Sequence, residues 1–391
     1  MAKQQVYLDH GASTPVLPAV LEAMRPFWSE QYGNPSSHHA LGRQANQALE
    51  AARRTIADLL HAQPAEIVFT GCGSESDNLA LRGIMLAARA AGQGNHFIIS
   101  SVEHSAVLQT AVQLTELMGF DATILPVDEY GRISLTDLEN AIRPDTVLIS
   151  IMAANNEVGT LQPVAAIGHL ARERGILFHS DAIQAATTAA WNMAEQPVDL
   201  ISLAPHKFYG PKGVGILYVR QGVALVPTLT GGSHENGRRA GTANVAFAVG
   251  AATALTHCLS HQADHIAHYQ HLRDRLIDGL LAAFPDDCLL TGHPTQRVPH
   301  NASFAFRNLN GNDLLMHLDM AGIAASSGSA CKSGNPKPSA ILEAIGLDDT
   351  WTKGGLRLTV GLQNTEDEID YVLATMPSII DKLKKINLLF A

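Results

Sequence analysis

One cysteine in a polar loop is the residue of this chain best suited to covalent chemistry. Cys331 lies in "SSGSACKSGNPKP", among serine, glycine, lysine and proline, a composition typical of loops. A buried structural cysteine would instead sit among large apolar residues. Because the thiolate of an accessible cysteine is a nucleophile, we expect Cys331 to be reactive. Cys258 lies in a helical pattern and Cys288 near a strand start, so we expect both to pack in the interior.

A lysine and an acid follow two other predicted strands. Lys207 lies in "SLAPHKFYGPKGVG", and upstream of it "HSDAIQ" ends a strand with Asp181 and Gln184. Taken alone, Lys207 would be interpreted as a solvated surface charge. However, a carboxylate behind an apolar strand costs desolvation free energy unless it meets a partner such as a cationic ring nitrogen. A Schiff-base lysine and an acidic partner for a pyridinium nitrogen are what pyridoxal phosphate (PLP) enzymes require, so the pair indicates a PLP site.

Other segments carry the remaining groups that a PLP site needs. "TGCGSESDN" is a glycine-rich turn before a helix, where the N–H groups of Gly73 and Ser74 can bind phosphate. A helix capped by Ser74 is an alternative, compatible interpretation. His104 in "SSVEHSAV" offers an imidazole that can stack on the ring. Thr242 in a second glycine-rich segment can meet the phosphate, and Arg357 in "GGLRLTVG" suits a substrate carboxylate.

The order of apolar runs predicts the elements that position these groups. Runs such as "EIVFTG", "HFIISSVEH", "TVLISIMAAN" and "ILFHSDAIQ" alternate with helical patterns. This rhythm predicts an α/β fold with a mostly parallel sheet. Ligands bind such sheets at the carboxyl ends of the strands, and the polar clusters of the first two thirds of the chain fall there. From about residue 260 the pattern becomes mixed, which predicts a smaller α+β domain.

The composition excludes several functional classes. The net charge of −10 over 391 residues argues against a nucleic-acid surface. No apolar run approaches the roughly 18 residues of a membrane span, and the first residues lack the apolar core of a secretory signal, so we expect a cytoplasmic protein. The four cysteines are scattered, which argues against a disulfide framework or a zinc site built on them. No metal is predicted at the catalytic site.

The motifs, in order, also carry a family likeness. "YGNPSSHHALGRQA", "FTGCGSESDNLA", "MAANNEVGTLQP", "PHKFYGPKGVGILYVR", "SSGSAC" and "LRLTVG" resemble the cysteine desulfurases of the NifS/IscS type. These are PLP-dependent fold type I enzymes of the class-V aminotransferase family. The resemblance implies a homodimer whose large PLP-binding domain, residues 15–258, holds a mostly parallel seven-stranded sheet. It implies a small α+β domain from residues 1–14 and 259–391, with the catalytic-cysteine loop at about 325–338.

The resemblance also assigns roles to residues. It makes Lys207 the Schiff-base lysine, Asp181 the pyridinium partner, Gln184 the donor to the phenolic oxygen and His104 the stacking residue. The implied phosphate ligands are Gly73, Ser74, His206 and Thr242, the last from the other subunit. Asn155 and Arg357 lie near the substrate carboxylate by the same likeness, and Cys331 is the nucleophile.

The implied reaction converts L-cysteine to L-alanine and leaves a persulfide on Cys331. An acceptor protein then takes the sulfur, for iron–sulfur cluster assembly or for thiolation. Three alternatives stay open at this point. They are a selenocysteine lyase, a PLP aminotransferase or lyase that does not use Cys331, and an inactive PLP-binding scaffold.

Two features of the sequence are not explained by the family resemblance. Ala204 stands where the family usually has a phosphate-binding serine, so one hydroxyl contact is missing. A histidine stripe also recurs at steps of three and four residues, which places its members on one helix face; they are His257, His261, His265, His268 and His271. We expect an exposed face that gains charge below about pH 6.5, and a metal-binding stripe is the alternative.

Overall fold

The computed structural model describes residues 5–327 and 338–390. The strands are β1 Val6–Tyr7, β2 Ile67–Thr70, β3 His96–Ser100, β4 Asp121–Leu125, β5 Thr146–Ser150, β6 Leu177–Asp181, β7 Leu200–Leu203, β8 Gly215–Val219, β9 Cys288–Leu290, β10 Asn301–Phe306, β11 Ile323–Ala324 and β12 Gly355–Thr359. The α-helices are α1 Pro18–Met24, α2 Pro26–Ser29, α3 Ala40–Leu59, α4 Gly73–Ala90, α5 Ser105–Glu116, α6 Leu135–Ala141, α7 Val164–Glu173, α8 Val245–Ser260, α9 Gln262–Ala283, α10 Gly311–Met320, α11 Ala340–Ala344, α12 Asp349–Thr352 and α13 Glu366–Phe390. Short 3₁₀ turns lie at Pro64–Glu66, Pro205–Lys207 and Glu235–Gly237.

Seven strands form one large sheet in the order β2-β8-β7-β6-β5-β3-β4. β8 runs antiparallel to β2 and β7, and the other neighbours are parallel. The predicted α/β fold with a mostly parallel seven-stranded sheet is therefore confirmed. The register of β6 and β7 pairs Asp181 with Ser202. Because parallel strands end at the same edge of the sheet, the loops after β3, β5, β6 and β7 converge there.

The inner strands are buried on both faces. Every residue of β3, β7 and β8 is buried, as expected of strands covered by helices on both sides. The covering helices are amphipathic: α3 buries Ala45, Leu49, Ala52 and Ile56, whose spacing of three and four places them on one face. Within the described ranges, no helix combines the length and apolar character that a membrane crossing requires.

A second, smaller part of the chain has its own sheets and core. β9, β10 and β12 form an antiparallel sheet in the order β12-β10-β9, and β1 pairs in parallel with β11. Leu272 of α9, Phe304 of β10 and Ile380 of α13 pack in one core with Val6 and Leu8. This is the predicted α+β arrangement. The boundaries at residues 14/15 and 258/259 stay a prediction.

Candidate active site

The carboxyl edge of the large sheet encloses a cavity of about 360 Å³. Most of the predicted site residues line it, namely Gly73, Ser74, His104, Asp181, Gln184, His206, Lys207 and Arg357. They arrive from α4, the loop after β3, the ends of β6 and β7, and β12 of the smaller part. The fold therefore brings together groups that are far apart in the sequence.

Lys207 enters the cavity from the short turn after β7. Its Nζ donates to the carbonyl oxygens of Gly11 at 2.8 Å and Ala12 at 2.7 Å. Burial, together with the positive charge of Arg357, lowers the pKa of Lys207 to about 8. An amine with this pKa is partly neutral under mildly alkaline conditions, so it can act as a nucleophile or a base.

Asp181, at the end of β6, is a buried residue that lines the cavity. Its Oδ1 accepts from the N–H of Ile183 at 3.0 Å, which fixes the carboxyl group at the start of the next turn. Burial raises the pKa of Asp181, and the nearby His104 and Lys207 oppose that shift. A buried acid with a raised pKa is ready for a cationic partner.

A second buried acid, Asp77, lies behind Asp181 and was missed by the sequence analysis. Atoms of Asp77, His104 and Asp181 lie within 4.8 Å of one another. Neither oxygen of Asp77 meets hydrogen-bond geometry with a described group. Burial and the charge of Asp181 raise the pKa of Asp77, while the nearby Ser202 hydroxyl lowers it in part. We call Asp77 and Asp181 together the acidic floor.

A neutral histidine supports the acidic floor. His179 Nε2 lies 3.7 Å from Asp77 Oδ1, and its ring is held by the hydroxyls of Ser150 at 2.8 Å and Ser202 at 3.0 Å. Complete burial lowers the pKa of His179 to about 3. Because the ring carries no charge at neutral pH, it does not neutralise Asp77, and the two carboxyl groups of the floor repel each other when both are ionised.

The amino end of α4 forms an anion cradle. The helix begins at Gly73 after an extended Cys72, and no side chain of the described residues caps it. The alternative that Ser74 caps this helix is therefore wrong, because Ser74 lies inside the first turn. A Cβ atom at Gly73 would lie 2.4 Å from Ile183 Cδ1, so glycine allows the backbone to approach the cavity. The exposed N–H groups and the helix dipole favour an anion there.

Other groups complete the cradle with one difference from the family pattern. His206 lines the cavity, and its Nδ1 lies 3.3 Å from Ser13 Oγ. Burial and then the charge of Lys207 lower the pKa of His206 to about 4, so its ring is neutral. Ala204 is buried at the cavity wall and supplies no hydroxyl. A phosphate at this place therefore depends on backbone N–H groups and the remaining side chains.

Arg357 of β12 also lines the cavity. Its Nη2 donates to Asp9 Oδ1 at 2.8 Å and its Nη1 to the Asn156 carbonyl at 2.9 Å. The Nε atom is buried without a partner in the described chain. An unpaired donor on a guanidinium favours a further acceptor such as a ligand carboxylate. We call Lys207 and Arg357 together the cationic rim.

Some predicted residues lie elsewhere. The side chain of Asn155 is fully buried, donating to the Val102 carbonyl at 2.9 Å and accepting from the N–H groups of Glu157 and Val158. It shapes the loop after β5, and Asn156 lines the cavity instead. Thr242 is exposed and does not line this cavity. Cys331 lies outside the described residues, and the roles of all three stay predictions.

Histidine and glutamine at the cavity have defined orientations. His104 is the N-cap of α5, and its Nδ1 accepts from the Ala106 N–H at 3.1 Å, which places the ring proton on Nε2 when the ring is neutral. Gln184 Nε2 donates to the Gly11 carbonyl at 3.0 Å. The segment after β1 thus reaches over the cavity and holds both Gln184 and Lys207 through one carbonyl oxygen.

Comparison with known proteins identifies the family. The aminotransferase class-V family model matches residues 6–372. The chain belongs to the class-V aminotransferase family. A curated relative, cysteine desulfurase IscS of Methanosarcina thermophila, is 46% identical over 382 residues, which are 98% of this chain and 93% of the relative. The predicted likeness to the NifS/IscS type is confirmed, and the chain is an enzyme of a PLP-dependent family.

Solved structures agree. A NifS-like protein matches with a TM-score of 0.90 at 36% identity, over 97% of this chain and 100% of that chain. A structure described as SspA in complex with cysteine matches with a TM-score of 0.80 at 35% identity, over 92% of this chain and 100% of that chain. The fold type I assignment is therefore confirmed.

Proposed function

We propose that this chain is a cysteine desulfurase that converts L-cysteine to L-alanine and passes the sulfur on as a persulfide of Cys331. The main support is that one cavity contains Lys207, whose pKa is lowered, and Asp181, a buried acid. The amino end of α4, which no described side chain caps, lies at the same cavity. This is the set of groups that PLP chemistry on an amino acid requires. The names of the relatives supply the substrate.

The residues present fit PLP. We propose that Lys207 would hold PLP covalently, with Asp181 as the partner of the ring nitrogen and His104 as the stacking residue. Gln184 would bind the phenolic oxygen, and the phosphate would be bound by Gly73, Ser74, His206 and, across a homodimer interface, Thr242. A buried carboxyl with a raised pKa and a cradle that excludes a side chain at Gly73 support this fit. When bound, PLP withdraws electrons from the substrate Cα.

Three side chains of the cavity would bind the substrate and transfer its protons. Arg357 binds the α-carboxylate of the substrate through its guanidinium group, whose Nε has no partner among the described residues. Lys207, once released, takes the Cα proton, since its pKa of about 8 lets it both accept and return a proton near neutrality. His104 has Nε2 free of its capping bond and is suited to hold a second proton at the substrate sulfur.

The sulfur transfer from the substrate to Cys331 needs no external oxidant. The Cys331 thiolate attacks the substrate sulfur, so an S–S bond forms and the Cβ–S bond breaks. The bonding electron pair goes to Cβ, which is then protonated, and alanine leaves. Cys331 carries the sulfur as a persulfide. An acceptor protein for iron–sulfur assembly or thiolation, or a small thiol, takes it next.

The test measures sulfide and alanine together from L-cysteine under reducing conditions. The parent should release equal amounts, and Cys331→Ala should lose sulfide release. Cys72→Ala is the matched control, since this thiol also lines the cavity and should be dispensable. Sulfide release that survives in Cys331→Ala would contradict the assigned nucleophile. Turnover of selenocysteine alone, keto-acid formation, or no turnover by the PLP-loaded parent would support the respective alternatives.

A further inference from the structure

Three histidines of the stripe converge at the junction of α8 and α9. His257 belongs to the last turn of α8, His261 joins the two helices, and His265 lies in the first turns of α9. One ligand nitrogen from each ring lies within 4.8 Å of the others. The ring centroids are 4.7, 5.7 and 5.8 Å apart.

The other two histidines of the stripe are held by different partners. His268 Nε2 lies 3.3 Å from the Gly361 carbonyl, and His271 Nε2 lies 3.0 Å from Glu366 Oε1. The stripe therefore divides into a cluster of three rings that face one another and two rings that contact the segment before α13 and its first residue. The sequence spacing alone did not show this division.

A backbone hydrogen bond orients one ring of the cluster for metal binding. His261 Nδ1 lies 2.9 Å from the His257 carbonyl. A proton on Nδ1 donates to that oxygen and leaves the Nε2 lone pair free, the arrangement that commonly orients a metal-ligating histidine.

We propose that His257, His261 and His265 bind a divalent transition-metal ion such as Zn²⁺, with water as the fourth ligand. Zinc–imidazole bonds of about 2.0–2.1 Å place the nitrogens of a tetrahedral site roughly 3.3 Å apart. The rings must close by rotation of their side chains, which His261 can do because it is exposed. Three neutral imidazoles are a common ligand set for zinc, copper or nickel.

The position of the cluster gives the metal a structural consequence. Leu255 and Cys258 of α8 pack in the core of the large sheet, while Tyr269 and Leu272 of α9 pack in the core of the smaller part. A metal bound by residues on both sides of His261 ties these helices together at their junction. Binding therefore stabilises the native state by RT ln(1 + c/Kd), which grows with the metal concentration c, independently of the proposed catalytic function.

The test uses the untagged, PLP-loaded full chain. Equilibrium dialysis against micromolar Zn²⁺ should find about one equivalent per chain, with at least about 10-fold weaker binding in His261→Gln and His265→Gln. His271→Gln, on the same helix but outside the cluster, is the matched control and should bind as the parent does. Zinc should raise the melting temperature of the parent and of the control only.

Cobalt substitution distinguishes this site from thiol sites. Co²⁺ on three imidazoles should give visible d–d bands without the near-ultraviolet charge-transfer band of a cobalt thiolate. No binding at micromolar metal, equal binding in His261→Gln, or a thiolate band that persists in His265→Gln would each overturn the proposal.

Discussion

The acidic floor and the cationic rim of the cavity show the same physical effect with opposite sign. Burial raises the pKa of Asp77 and Asp181 at the floor and lowers the pKa of Lys207 at the rim. In both regions desolvation disfavours the charged form. Each region is therefore less charged than its side chains suggest, and each gains from a ligand that brings the opposite charge.

The opposite charges that the floor and the rim lack indicate which ligand fits between them. A molecule with a cationic ring nitrogen at one end and an anionic carboxylate at the other would relieve both desolvation penalties at once. The uncapped end of α4 adds a place for a second anion at the side. The cavity thus favours a ligand that carries a cationic ring nitrogen and two anionic groups.

Removing the amine of the rim should have the largest effect. We expect Lys207→Ala to reduce alanine formation by at least about 10³-fold, since it removes both the covalent attachment and the proton carrier. Steady-state kinetics and the absorbance of bound cofactor measure the two losses. Lys212→Ala is the control, because Lys212 is exposed in the same glycine-rich segment. Activity within tenfold of the parent would exclude Lys207 from both roles.

Removing the charge of the floor should have the next largest effect. Asp181→Asn removes the ionic partner proposed for the ring nitrogen of PLP, and the pKa of that nitrogen should fall by about 1–3 units. We expect kcat to fall by about 10- to 1,000-fold, one tenfold step for each unit. Asp181→Glu keeps the charge and should recover part of the rate. A pH titration of the cofactor spectrum that matches the parent would contradict the assigned contact.

Much of the fold and several cavity residues could be predicted from local sequence patterns. Buried strands are visible as apolar runs, and Lys207, Asp181 and Gly73 each lie at the end of such a run or shortly after it. The floor could not be completed from the sequence, because Asp77 resembles a capping residue and His179 resembles a strand interior. Only the packing of α4 against β6 shows that the two side chains lie 3.7 Å apart.

One-residue differences in loops were equally hard to predict. Asn155 and Asn156 are adjacent, but the first is buried among backbone partners and the second lines the cavity. Loop residues have no periodicity that tells which side chain points inward. The missing signal was the pair of N–H donors from Glu157 and Val158, which occupies the Asn155 carbonyl oxygen.

A conservative change at the rim should separate binding from chemistry. Arg357→Lys keeps the charge but loses the planar fork, including the Nε that has no partner within residues 5–327 and 338–390. We expect KM for cysteine to rise about 10- to 100-fold, the value of one strong charge-assisted bond, with kcat nearly unchanged. Asp9→Asn removes the internal partner of Arg357 and should not raise KM. A loss in kcat at constant KM would place Arg357 in the chemical step.

The second acid of the floor should act through the first. Burial and the charge of Asp181 raise the pKa of Asp77, so Asp77→Asn removes the later of the two ionisations of the coupled pair. The pH profile of kcat/KM should then lose the step that this ionisation contributes, with less than about a tenfold change at its optimum. An unchanged profile together with a lower melting temperature would show a purely structural role.

A buried acid beside the floor, Glu103, should affect stability rather than activity; it accepts from the Ser100 hydroxyl at 2.5 Å and from the Met152 N–H. Burial raises its pKa from 4.5 to about 8, so the native state holds a proton that the unfolded chain releases. Stability should therefore fall as pH rises between these two values, with a slope of at most about 1.4 kcal/mol per pH unit from this group. Glu103→Gln keeps the acceptor oxygen and removes the titration. Chemical unfolding from about pH 5 to about pH 8 should show a flatter dependence in the variant, and an identical slope would mean that Glu103 is already ionised in the native state.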